Sequence, residues 1–140
     1  MDWNGKPLGT DFISFWAVSD MVLHGHAADV YVFKQHAAEQ LKIFAQIGRY
    51  GYTAFFYPPT FLLLCLPLAL FPYFWSLFIW LSITGYACWQ AVKRLLPDKT
   101  PWVVLASFPA IFINILHGQN AFLSCALFAQ GVYLFNKKPV

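Results

Sequence analysis

Charge is what this sequence has least of. Nine Lys and Arg and six Asp and Glu make up 11% of its 140 residues, against roughly 25% in an average soluble domain. Residues 53–92 carry no Asp, Glu, Lys or Arg, nor do residues 100–136, and five of the six acids precede residue 40. With 59% apolar and 20% aromatic residues, such a chain needs a second solvent, and lipid is the obvious one. The net charge of +3 is spread over single or paired Lys and Arg, and without a basic stripe it argues against a nucleic-acid partner. Cys65, Cys88 and Cys125 are odd in number, widely spaced and inside apolar runs, which suits small buried hydrophobes better than disulfides or metal ligands. The opening Met-Asp-Trp-Asn-Gly-Lys-Pro lacks the basic and apolar regions of a cleaved signal peptide. A Gly-rich phosphate loop, a nucleophile elbow and a zinc signature are absent too.

What is present reads as an all-α, polytopic transmembrane protein with N-terminal interfacial amphipathic helices. Phe12, Phe15, Trp16, Ser19, Val22 and Leu23 line one helical face, with Thr10 or Asp11 as its cap and Gly25 at its end. Val30, Phe33, Ala37, Leu41 and Phe44 predict a second amphipathic helix after Asp29, and both suit a membrane interface. Residues 1–52 thus form an extramembrane or interfacial region. Gly48, Gly51, Pro58 and Pro59 mark the passage into the apolar half.

Residues 53–140 form the transmembrane region, with three or four segments expected at 54–71, 73–92, 101–116 and 121–135. A crossing takes about 20 residues, so the stretch 60–92, interrupted by Pro67 and Pro72, is long for one span and short for two. One kinked crossing puts Asp11 outside and Lys93, Arg94, Lys99, Lys137 and Lys138 inside, in keeping with the positive-inside rule; two crossings break that pattern or put Asp11 in the cytoplasm.

Polar residues at membrane depth usually have a reason, which singles out His117-Gly118-Gln119-Asn120, between two apolar runs. A polar turn capping two helices, for which Gly and Asn are ordinary choices, is the plainer reading. Asp11 heads an aromatic helix, where a general base or a plain N-cap are the alternatives. His24, His26 and His36 lack the further ligands of a metal site and read as solvated interfacial side chains. Tyr57-Pro58-Pro59 combines a belt aromatic with a helix start.

The order and spacing of several landmarks resemble glycosyltransferase family 87, integral-membrane enzymes of the GT-C class that use polyprenyl-phosphate sugars. They are Gly9-Thr10-Asp11-Phe12 with Phe15-Trp16-Ala17, Leu23-His24-Gly25, Asp29-Val30-Tyr31, Tyr57-Pro58-Pro59, Leu66-Pro67-Leu68, Phe71-Pro72-Tyr73 and His117-Gly118-Gln119-Asn120. The resemblance implies a partial GT-C-type bundle, an N-terminal piece that lacks the family's first span and many later ones and is too short to act alone. It implies transfer of a sugar, often mannose, from a polyprenyl-phosphate donor to a lipid or glycan hydroxyl at the outer face of the cytoplasmic membrane, in a multi-pass protein.

Asp11 matches the family's acidic residue in the first external loop and would deprotonate the acceptor; Tyr57, His117, Gln119 and Asn120 would bind substrate. No cofactor or metal is implied, the donor being a substrate, and the nearby cations are Lys34, Lys42 and Arg49. The expected partners are membrane lipid, the donor, the acceptor and a membrane protein completing the bundle. The alternative is a small non-catalytic membrane structural or assembly protein. An ion-coupled transporter fits less well, because the apolar segments lack ionisable groups.

Overall fold

Proline and glycine placement decides where this chain is helical. A computed structural model describes residues 8–44, 51–96 and 106–137. Gly48, Arg49, Lys99, Lys138 and residues 101–105 of the expected third segment lie outside them. Every regular element among the described residues is helical, as the sequence leads one to expect. No helix among them is long and apolar enough to cross a membrane. The chain forms two compact units, residues 1–78 and 79–140.

The first unit is built around α1, Phe12–Leu23. The sequence predicts one apolar stripe; the helix is instead buried at Phe12, Ile13, Ser14, Phe15, Ala17, Val18, Ser19 and Met21. A helix apolar nearly all round becomes a core element rather than a surface one. A 3-10 turn at Ala27–Tyr31 leads into α2, Phe33–Ile43.

Here the buried face is not the apolar one. His36 and Gln40, one turn apart, are completely buried, while Phe33 and Leu41 are 62% and 43% exposed. The amphipathic period is present, but the inward stripe is polar. The reason lies in the neighbouring backbone, whose carbonyls and N–H groups need partners once they are removed from water.

Residues 54–71 do not make one helix. They form a 3-10 turn at Pro59–Phe61, the four-residue α3 at Leu62–Cys65 and a 3-10 turn at Leu68–Leu70. Pro58, Pro59, Pro67 and Pro72 deny this stretch the N–H groups and the clearance that a continuous helix requires. Its exposed backbone polar groups are met by side chains of α1. The Ser19 hydroxyl donates to the Leu66 carbonyl and accepts from the Ala69 N–H, both at 2.9 Å. Trp16 Nε1 donates to the Phe71 carbonyl at 3.1 Å.

The 23-residue helix α4, Tyr73–Leu95, follows Pro72 and carries Lys93 and Arg94 in its last turn. Its C-terminal part belongs to the second unit, with α5, Pro109–His117, and α6, Ala121–Lys137. The core of that unit is a seam of small residues, Cys88 and Ala91 with Ala126 and Ala129, which lets helix backbones approach closely. Arg94 Nη1 donates to Gln130 Oε1 at 2.7 Å. Pro109 starts α5 and Gly118, at φ 66°, ends it, so this helix has only nine residues.

Candidate active site

Asp11 occupies the N-cap position of α1, but its side chain makes no capping hydrogen bond to the helix. The capping there is done by its main chain, whose carbonyl accepts from the Ser14 N–H at 3.2 Å and from the Ser14 hydroxyl at 2.8 Å. The plain-cap alternative raised by the sequence therefore does not account for the carboxylate.

The turn that presents Asp11 is held from several directions. The Tyr73 hydroxyl lies 2.8 Å from the Gly9 carbonyl and 3.0 Å from that of Leu8. The Thr53 hydroxyl donates to the Thr10 carbonyl at 2.9 Å. Gly9 takes φ 77°, and a Cβ there would lie 2.7 Å from the Tyr73 hydroxyl, so both the turn and the close approach require glycine.

Tyr57 belongs to the same unit, and the Asp11 charge acts on the phenols of both Tyr57 and Tyr73. The Tyr57 ring stacks on Phe61 at 4.4 Å and meets Phe15 edge-on at 5.3 Å. Its carbonyl accepts from the Tyr31 hydroxyl at 2.9 Å. Pro58, at ψ 159°, and Pro59 at the head of the next turn make Tyr57-Pro58-Pro59 a helix start, and the same segment fixes an aromatic wall.

Beneath this wall lies a buried polar chain that the sequence reading missed, having placed His36 in solvent. His36 Nε2 lies 3.3 Å from both the Ser14 carbonyl and Gln40 Nε2, and its Nδ1 shares a hydrogen bond with the Tyr52 hydroxyl at 2.8 Å. Gln40 donates from Nε2 to the Thr53 carbonyl at 2.6 Å and accepts at Oε1 from the Thr53 N–H at 3.2 Å. Burial lowers the proton affinity of His36, while the Ser14 carbonyl and the Glu39 charge pull the other way. Burial raises that of Tyr52. Burial, the larger influence, thus favours the neutral imidazole. The only trace of this in the sequence is the i, i+4 spacing of His36 and Gln40 on a helix otherwise read by its apolar side.

His24 and His26 are exposed, as expected, and pair with Asp20 at 3.5 Å and Asp29 at 3.2 Å. Asp20 has its proton affinity raised by burial and then by a hydrogen bond with Glu39. Of the nearby cations, Lys42 bonds Glu39 at 2.7 Å and Lys34 is exposed. Among the described residues no group of three or more His, Cys, Asp or Glu side chains is arranged to hold a metal ion.

His117, Gln119 and Asn120 lie together in the second unit, on the turn between α5 and α6. The Asn114 carbonyl accepts from the N–H groups of Gly118 and Gln119 at 2.8 and 3.2 Å, and the Asn114 Oδ1 accepts from the Ala121 N–H at 3.0 Å. Trp80 Nε1 donates to the Gln119 carbonyl at 3.4 Å. The motif is therefore a capped helix-to-helix turn that leaves the His117 and Gln119 residues exposed. Asn114, which organises it, was hidden within an apolar run.

Glycosyltransferase family 87 matches residues 55–140 of the sequence. The chain belongs to that family. The match takes in Tyr57, His117, Gln119 and Asn120 of this family 87 chain, whereas Asp11 precedes it. No curated protein and no solved structure shows significant similarity to the chain. Members of family 87 are membrane glycosyltransferases.

Proposed function

We propose that this chain is the acceptor-activating part of a multi-pass membrane glycosyltransferase, passing a sugar such as mannose from a polyprenyl-phosphate donor to a hydroxyl of a lipid or glycan at the outer face of the cytoplasmic membrane. The observation that carries the reading is the Asp11 carboxylate, set at the head of α1, not used as that helix's cap, on a turn fixed by Tyr73 and Thr53.

A carboxylate in that position accepts the proton of an acceptor hydroxyl as its oxygen attacks the anomeric carbon. Polyprenyl phosphate departs with the electrons of the broken C–O bond, and the anomeric configuration inverts. General-base assistance of this kind is worth about a hundredfold to ten-thousandfold in rate. Tyr57 offers a ring and a hydroxyl to the sugar, and His117, Gln119 and Asn120 supply further polar contacts to sugar or phosphate. Completion of the bundle by a membrane protein partner or by further helices is part of the proposal.

The membrane setting draws on the family and on the surface. Leu63, Trp75, Phe78, Leu127, Phe128 and Phe135 are all well exposed, and apolar area of that extent calls for lipid or partner helices. Lys93, Arg94 and Lys137 at the ends of α4 and α6 then take the cytoplasmic side, with Asp11 outside.

The test is sugar transfer from a radiolabelled polyprenyl-phosphate donor, in membranes carrying the complete enzyme with or without Asp11→Asn. A loss of about a hundredfold or more is expected at unchanged protein abundance. Transfer at the original rate would instead assign the chain to membrane assembly, where the exposed Phe33 and Leu41 of α2 are the surface to break.

A further inference from the structure

The second unit holds a cavity of about 290 Å3 between α5, α6 and the C-terminal part of α4. Cys88, Val92, Ile111, Phe122 and Cys125 give it apolar walls, and Asn114 is the one amide side chain among its lining residues. Asn114 is 2% exposed, and the two ends of its amide are placed differently. Its Oδ1 accepts from the Ala121 N–H at 3.0 Å, which fixes the orientation of the amide, and its Nδ2 has no hydrogen-bond partner among the described residues. A buried donor left unmet is costly, so the cavity that Asn114 borders calls for an acceptor.

Three kinds of occupant differ in that respect. Water is held in a buried site by about two to four polar partners, and these walls add only the weakly bonding thiols of Cys88 and Cys125 to the amide. A plain hydrocarbon chain suits the walls but leaves Nδ2 unmet. A carbonyl carried on a hydrocarbon chain answers both. The course of that chain follows from the helices. Because α6 starts at the His117–Asn120 turn, the Gly85 position lies against Phe122 and Arg94 bonds Gln130, α4 and α6 run the same way, and Val92 lies farther from that turn than Asn114 and Phe122 do. A carbonyl at Asn114 thus has its polar end near the exposed His117 and Gln119 and its hydrocarbon directed toward Val92.

We propose that this cavity binds a fatty-acyl ester lipid, with the ester carbonyl accepting from Asn114 Nδ2 and the adjoining part of the acyl chain lying among Cys88, Val92, Ile111 and Cys125. A volume of about 290 Å3 is roughly twice that of a cavity that admits benzene. It takes the ester and the chain next to it, while the rest of the lipid stays in the bilayer. The site lies in the second unit and does not involve Asp11, so it stands or falls apart from the transfer reaction.

The test uses the full chain in nanodiscs of dialkyl (ether-linked) phosphatidylcholine, doped with a phosphatidylcholine whose chains carry a diazirine near the head and are either ester- or ether-linked. After photolysis, peptide mass spectrometry compares labelling at the cavity residues Cys88, Val92, Phe122 and Cys125 with labelling at the exposed Leu127 and Phe128. The ester probe should label the cavity about three- to tenfold more than the ether probe, the worth of one hydrogen bond, and Asn114→Ala should bring that ratio to about one. Ala110→Trp, which fills the cavity from its exposed lining residue Ala110, should lower cavity labelling and leave Leu127 and Phe128 unchanged. Equal labelling by the two probes in the parent chain overturns the proposal, because the amide then bonds water or nothing. A diazirine-bearing polyprenyl phosphate that labels the cavity more than the ester probe overturns it too, by giving the cavity to an isoprenoid chain. So does an ester preference that survives in Asn114→Ala, or cavity labelling that Ala110→Trp leaves intact. The ester-to-ether ratio in the parent chain needs no variant to fold.

Discussion

Gln40 clasps the main chain of Thr53 from both sides, donating to its carbonyl at 2.6 Å and accepting from its N–H at 3.2 Å. The clasp reproduces, with one side chain, the paired hydrogen bonds that a neighbouring strand would give. Its worth lies less in the bonds themselves than in what their loss would strand, because a buried donor or acceptor without a partner costs about 1–3 kcal/mol.

Gln40→Leu keeps the volume of the side chain roughly constant and removes both partners of Thr53 at once. We expect a loss of about 2–4 kcal/mol on that basis. Gln40→Glu retains the acceptor but brings in a buried charge, and should fall no better. Denaturant unfolding of the chain in detergent, followed by tryptophan fluorescence, measures both; a Leu variant as stable as the parent would show that water replaces the clasp.

Two glycines with positive φ make an internal comparison. Gly9 and Gly25 have φ 77° and 84°, but a Cβ on Gly9 meets the Tyr73 hydroxyl at 2.7 Å and Leu77 at 3.0 Å, whereas one on Gly25 meets nothing within 4 Å. Gly25→Ala should cost only the left-handed strain, about 1 kcal/mol. Gly9→Ala should cost clearly more, on the order of 3 kcal/mol, and displace Tyr73 from the Gly9 carbonyl. Equal melting temperatures for the two variants would mean that the Asp11 turn is looser than its contacts indicate.

Asn114 is the hinge pin of the second unit. It is 2% exposed, and its side-chain oxygen caps the first turn of α6 through the Ala121 N–H. Asn114→Ala should cost about 1 kcal/mol from the lost cap, with the damage confined to the α5–α6 turn. Asn114→Asp preserves the accepting oxygen and places an anion at a helix N-terminus, but does so where water is excluded, so it should not restore the parent stability. Exchange at the Ala121 amide is the local readout, and its staying protected in the Ala variant would exclude the cap.

What the sequence made readable, and what it did not, follows from what apolar periodicity can report. The long charge-free stretches announced an apolar helical chain, and the ordered landmarks led to family 87, to which the chain belongs. Paired prolines marked the start at Pro59 and Gly118 the end of α5, because those two residue types act through local backbone geometry. The error on α2 was of another kind. Its apolar positions do recur at helical spacing, but the side that packs inward is decided by which neighbour has unpaired main-chain groups, and that neighbour is the irregular 51–57 segment, distant in sequence. His36 and Gln40 were missed for this reason, each being polar and buried to serve a backbone that only the fold brings near, whereas Asn114 serves the Ala121 N–H across the α5–α6 turn.

Asp20 provides a pH test. Its proton affinity in the folded chain is raised, first by burial and then by the hydrogen bond with Glu39, against which the His24 and Lys42 charges act. A raised acid binds more protons folded than unfolded, so the stabilisation it contributes is complete below the ordinary aspartate range, near 3.8, and is lost as pH rises through the higher folded value. Asp20→Asn cannot lose that proton. Its stability relative to the parent should therefore improve on passing from about pH 3.5 to about pH 6, by less than about 1 kcal/mol for so partly exposed a group. The comparison removes the carboxylates remote from Asp20, and a difference that stays constant or shrinks over this range would mean that the Asp20 proton affinity is not raised in the folded chain.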